Sequence, residues 1–99
     1  MNMQQMIAQA QRMQRELQKA KDALKEKEFK VSKGGAVTVI VMGSKQIKSI
    51  DIDKDALSIE NKEMIEEMIA LAVNEANVQI DKENEEIEEK ITGRSGGLF

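Results

Sequence analysis

The sequence predicts an α+β subunit of order α-β-β-β-α: a three-stranded antiparallel meander flanked by two long helices, paired with a second copy as a homodimer with projecting helical arms. Three patterns predict it. Residues 3–27 follow an apolar heptad, residues 28–53 hold three short alternating stretches split by glycine-bearing turns, and residues 61–92 carry an apolar stripe at helical spacing.

In the first stretch Met3, Ala10, Leu17 and Leu24 occupy one seam position, and Met6, Met13 and Ala20 the other. Gln, Ala, Lys, Glu, Met and Leu dominate it, and all favour a helix. A seam this narrow suits pairing with another helix, as in a coiled coil, better than lying on a broad core. The β region opens with Glu28–Lys33, which sets Phe29 and Val31 on one face. Gly34-Gly35 then supplies a turn, because glycine adopts positive φ without a Cβ clash. Across residues 36–42, Val37, Val39 and Val41 alternate with Thr38, Ile40 and Met42, so both faces are largely apolar. That is the pattern of a central strand covered on each side. Gly43-Ser44 with Lys45 makes the next turn. Residues 46–53 then place Ile50 and Ile52 on one face, with Ser49, Asp51 and Asp53 on the other. Such short connections allow only antiparallel pairing.

A linker over residues 55–60 leads to Asn61, which reads as the N-cap of the second helix. Glu63, Glu66 and Glu67 in its first turns suit the positive end of the helix dipole. Its stripe runs through Ile65, Met68, Ile69, Ala72, Ala76, Ile80, Ile87 and Ile91, dense to Ile80 and sparse afterwards. Thr92-Gly93 ends it. Residues 1–93 therefore read as one domain and residues 94–99 as a flexible, Gly-rich tail.

Length argues for a twin. At about 1.5 Å per residue the helices reach roughly 37 and 46 Å, whereas a compact domain of this size is only about 33 Å across. The overhanging seam would face water in a lone subunit, losing roughly 1.5–3 kcal/mol for each Leu or Met left unburied. The expected dimer contact is the seam Met3, Met6, Ala10, Met13, Leu17 and Leu24, together with Val37 and Val39. The monomeric alternative folds both helices back over the sheet.

Composition narrows the chemistry. Phe29 and Phe99 are the only aromatic residues, and Cys, His, Tyr and Trp are absent. Disulfides, thiolate metal sites and the commonest general base are thereby excluded. Asp51, Asp53 and Asp55 resemble the start of a calcium loop, but Ala56 stands where the turn needs glycine and Lys62 where a bidentate glutamate is needed. Gly34-Gly35 lacks the further residues of a phosphate-cradling loop. No spacing pairs Ser44, Ser49 or Ser58 with a base. The sequence thus predicts no catalytic residue, no cofactor and no metal. The opening residues lack the pattern of a secretory signal and no apolar run is long enough to span a membrane, so a soluble, cytoplasmic protein is expected. Residues 1–50 hold ten Lys/Arg against four Asp/Glu, a balance of +6, while residues 51–99 hold five against fourteen, a balance of −9. An asymmetry of that size points to an interaction surface on the basic half.

Three blocks together resemble the YbaB/EbfC family of nucleoid-associated proteins. They are the Gln/Met-rich Met6-Ile7-Ala8-Gln9-Ala10-Gln11-Arg12-Met13-Gln14; the run Gly34-Gly35-Ala36-Val37-Thr38-Val39 continuing to Gly43 and Ile50-Asp51-Ile52-Asp53; and the Gly-rich end closing in Leu98-Phe99. The resemblance implies a homodimer shaped like tweezers that binds duplex DNA at the nucleoid, with a role in nucleoid organisation and gene regulation. The family is taken to grip DNA with its arms, yet Glu83, Glu85, Glu86, Glu88 and Glu89 make the end of the second helix acidic. DNA contact is therefore expected from Arg12, Arg15, Lys19, Lys21, Lys25, Lys27, Lys30 and Lys33. A second reading is a coiled-coil adaptor that binds protein partners and acts on DNA only through them.

Overall fold

The computed structural model describes residues 2–93. Helix α1 (Met3–Lys25) leads to strands β1 (Glu28–Lys33), β2 (Val37–Met42) and β3 (Ile47–Ile52), and two single 3₁₀ turns precede helix α2 (Lys62–Thr92). The sheet is an antiparallel meander of order β1-β2-β3. The expected α-β-β-β-α order is what the chain adopts. The tail expected over residues 94–99 lies outside the described residues.

Helix α1 starts on a reciprocal cap: the Asn2 side chain accepts from the Gln5 amide at 2.8 Å, and the Asn2 amide donates to Gln5 Oε1 at 3.2 Å. Two of the orphan amides of the first turn are satisfied in this way. The β1–β2 turn places Gly34 and Gly35 at φ +58 and +67, closed by the Ala36 amide donating to the Lys33 carbonyl at 3.0 Å. Positive φ at both central residues suits the right-handed twist of a hairpin. Ala36 belongs to this turn, so β2 begins one residue later than its alternation suggests.

Residues at alternate positions point to opposite faces. Phe29, Val31, Val37, Val39 and Val41 face α2 and are buried with Ile65, Ala72, Ala76 and Ile80 of that helix. Ala72 and Ala76 lose all exposure, since their small side chains let the helix settle close to the sheet. Helix α2 crosses β1 and β2 and barely reaches β3. Ile47 and Ile50 of β3 therefore stay 45% and 44% exposed, although they pair with the buried Val41 and Val39. The opposite face of β2, formed by Thr38, Ile40 and Met42, is only half-buried. Strand β2 is thus covered on one side within the subunit, where its two apolar faces predict cover on both.

Asn61 occupies the N-cap position of α2 without capping it. Its Nδ2 instead donates to the Ala56 carbonyl at 2.8 Å, tying the two 3₁₀ turns together. Asp53 accepts from the Asp55 amide at 3.1 Å, so this acidic loop serves as a turn cap.

Helix α1 does not fold over the sheet. Its last turn is fastened to the β2–β3 turn, where the Gly43 amide donates to the Lys27 carbonyl at 2.8 Å and the Ser44 amide to the Lys25 carbonyl at 3.2 Å. Its remaining length projects. The molecule measures 69 × 20 × 14 Å with a radius of gyration of 19.5 Å, against about 13 Å for a compact domain of this length.

Gly43 sets the angle of that junction, because a Cβ there would lie 1.7 Å from the Leu24 carbonyl oxygen and 2.6 Å from its carbon. Both obstacles are backbone. Gly43→Ala is expected to cost about 2–3 kcal/mol, which lowers the midpoint of thermal unfolding by roughly 8 °C or more at this chain length. Calorimetry of the two proteins checks it.

Candidate nucleic-acid interface

The seam of α1 divides by distance from the body. Leu24 is buried in the core, Leu17 and Met13 are half-buried, and Ala10, Met6 and Met3 are exposed, the last two at 49% and 76%. The end of α2 covers the near part of the seam and leaves the far part bare. Val37 and Val39, expected at the dimer contact, are 1% and 0% exposed within the single subunit. They pack against α2, as Leu24 packs in the same core. The alternation of β2 marks two apolar faces but cannot say which one α2 takes.

Each expected DNA contact now has a place. Arg12, Arg15 and Lys19 are exposed on the projecting arm. At 100° per residue they fall within about 60° of one another and on the side opposite the seam. Ion-pair contacts with the rest of the chain are absent for all three among the described residues. Lys30 is exposed on the open face of β1, away from the arm.

The others are engaged. Lys21 pairs with Glu88 at 2.7 Å, Lys27 with Glu83 at 2.7 Å and Lys33 with Glu75 at 2.9 Å. Lys25 lies 3.9 Å from Asp22 on its own helix. Lys27 also sits over the Phe29 ring, 5.3 Å from its centroid. Lys45, absent from the expected set, pairs with Asp81 at 2.6 Å. Much of the charge asymmetry of the sequence is therefore matched internally, basic half against α2. No sequence signal pointed to this, since the paired residues lie far apart along the chain.

The acidic end of α2 has two kinds of carboxylate. Glu83 and Glu88 turn toward lysines and are half-buried, whereas Glu85, Glu86 and Glu89 are exposed. Lys21 holds the Glu88 carboxyl below its ordinary pKa, first by donating a hydrogen bond and then by its charge. Glu85, Glu86 and Glu89 would repel phosphate. The outer face of the α1 arm carries Arg12, Arg15 and Lys19, with Glu16 and Asp22 exposed beside them on the same helix.

Among the described residues no group of three His, Cys, Asp or Glu side chains is placed to hold a metal ion. None of the described helices is long and apolar enough to cross a membrane.

The family model described as the YbaB/EbfC DNA-binding family matches residues 1–95. A nucleoid-associated protein of Acetivibrio thermocellus is 40% identical over 98 residues, covering 98% of this chain and 87% of its own length. One from Clostridium novyi is 42% identical over 94 residues, covering 94% and 82%, and one from Enterococcus faecalis is 40% identical over 85 residues, covering 85% and 82%.

The Lys21–Glu88 pair has a signature in solution. Because the folded-state pKa of Glu88 is depressed, the pair stabilises the protein above the carboxylate range and that contribution is lost as pH falls through the folded value. A carboxyl-carbon NMR titration should find Glu88 titrating below an ordinary glutamate, and Lys21→Met should return it toward the ordinary value. A midpoint indifferent to that substitution would show the contact to be absent.

Proposed function

The chain belongs to the YbaB/EbfC family of nucleoid-associated DNA-binding proteins, and from that membership we propose that it binds duplex DNA as a homodimer through phosphate contacts made by the α1 arms. The observation that carries this reading is the exposed row Arg12, Arg15 and Lys19. It stands on α1 on the side away from the apolar seam, with Arg12 and Arg15 lying N-terminal to the stretch that meets Glu88. A partner covering Met3, Met6, Ala10, Met13 and Leu17 would leave the row facing outward, so pairing and DNA contact use opposite sides of one helix. Lys30 stands apart on the sheet and is not part of this row.

Affinity from such a row comes from displacing the cations condensed on DNA, and it carries little sequence information. No aromatic residue stands on the arm to stack on bases. The protein therefore acts as a non-catalytic organiser of the nucleoid, and its effect on gene expression follows from where and how densely it coats the duplex.

Binding to a generic duplex should weaken at least tenfold between about 50 and 200 mM salt. The triple reversal R12E/R15E/K19E should weaken it at least tenfold further at the lower salt. Sedimentation equilibrium should return twice the 11.1 kDa of one chain, and M6E/L17E should return a single chain. The adaptor reading draws on Met64, Leu71 and Val78, exposed at seven-residue spacing on α2. Duplex affinity that is missing at about 50 mM salt, or that ignores the triple reversal, would favour the adaptor.

A further inference from the structure

Four lysines of the basic half, Lys21, Lys27, Lys33 and Lys45, contact carboxylates of α2 and not solvent alone. We propose that α2 works as a built-in rival to phosphate: Glu75, Glu83 and Glu88 hold Lys33, Lys27 and Lys21 out of the DNA-contacting set, and thereby set the affinity and the salt response of the α1 arm. This deepens the DNA-binding reading above and rests on it.

The geometry has three parts. Lys21, Lys27 and Lys33 each meet one carboxylate oxygen at 2.7–2.9 Å, and each partner is on the same helix. That helix is fixed to the sheet by Ala72, Ala76 and Ile80, all buried, so the carboxylates hold their stations without depending on the lysines. The lysine side chains keep 33%, 53% and 35% of their exposure, and a phosphate can therefore reach them with the fold intact.

The chemistry is an exchange of like for like. A carboxylate oxygen and a phosphate oxygen are both anionic acceptors for an ammonium, and lysine binds either as a point charge. A lysine that must leave Glu83 or Glu88 before it meets phosphate adds less to binding than Arg12 or Arg15, which leave only water. The counter-ion released on binding is then a carboxylate of the same chain, not a free ion, and it stays nearby to compete. Glu85 and Glu89 differ in the one respect that matters. They are exposed on the same turns and make no ion pair with the basic half among the described residues.

That difference supplies the test. E83Q/E88Q and E85Q/E89Q change the net charge equally, so long-range attraction to DNA rises equally in both. E83Q/E88Q alone frees Lys21 and Lys27. At about 100 mM salt it should bind a generic duplex roughly three- to tenfold more tightly than E85Q/E89Q does. Its plot of log affinity against log salt should steepen by about 0.9 for each lysine freed. Equal affinities and slopes for the two variants would overturn the proposal. A second measurement is a double-mutant cycle. K21Q/K27Q should change affinity less than about twofold in the wild-type background and should erase the gain in the E83Q/E88Q background, whereas additive effects overturn the proposal. If E83Q/E88Q fails to fold by circular dichroism, K21Q/K27Q is compared with R12Q/R15Q, and the lysine pair must cost less. Wild-type protein that ignores the duplex at about 50 mM salt removes the DNA reading itself; binding with an additive cycle removes only this inference.

Discussion

One layer contact, the apolar face of α2 laid on β1 and β2, does most of the burying in this subunit. With Phe29 the single aromatic side chain in it, the core is built from valine, isoleucine, leucine and alanine, and close approach must do what bulk cannot. Ala72 and Ala76 at the middle of the contact permit that approach, while Ile65 and Ile80 fill the space on either side of them. By Ile80 the dense part of the stripe is exhausted. The rest of α2 runs beyond the sheet, and α1 meets it there, with Leu24 in the core and Lys21 reaching Glu88. The direction of α1 is held at both places, by the junction with Gly43 and by these contacts with α2.

That arrangement makes the ion pairs between α2 and the basic half more important for charge display than for stability. Exposed pairs of this kind contribute little net stability, and buried apolar contacts outweigh them. Their effect on the outside world is larger. A chain of net charge −3 is repelled by DNA at long range, and only a local positive field can orient it. By pairing Lys21, Lys27, Lys33 and Lys45 with α2, the fold removes most of the diffuse positive charge near the body. On the arm, Arg12, Arg15 and Lys19 stay exposed and, among the described residues, make no ion pair with α2.

Local periodicity is visible in a sequence and partner choice is not, and the two account for what could be read in advance. The heptad of α1, the alternation of β1 to β3 and the stripe of α2 each repeat within a few residues, so the order of elements and nearly all their limits were legible. Leu24, Val37 and Val39, expected at the dimer contact, are buried inside the subunit, because an apolar residue declares that it will be buried, but not by which neighbour. Gly43 read as a turn residue, and its closer constraint, the Leu24 carbonyl against its Cα, depends on a helix that lies far back in the chain. Asn61 looked like a cap from its type and place, yet the Ala56 carbonyl, exposed by an unforeseen 3₁₀ turn, took its side chain. Of the eight basic residues, Arg12, Arg15 and Lys19 were recognisable as a row because helical spacing is local. The engagement of Lys21, Lys27 and Lys33 was hidden, since each partner lies on the second helix.

The reach of the arm then has an electrostatic reason as well as a packing one. Exposed charges more than about 8 Å apart are largely screened at physiological ionic strength. Arg12 lies nine residues before Lys21, a rise of roughly 13 Å along α1, so it stands beyond the screened field of Glu88 and its neighbours. Lys19 is close to Lys21 along the axis, but it points away from the side of α1 that meets α2. An acidic second helix and an exposed basic row on the first coexist in one small subunit because Arg12 lies well along α1 from Glu88 and Lys19 faces away from α2.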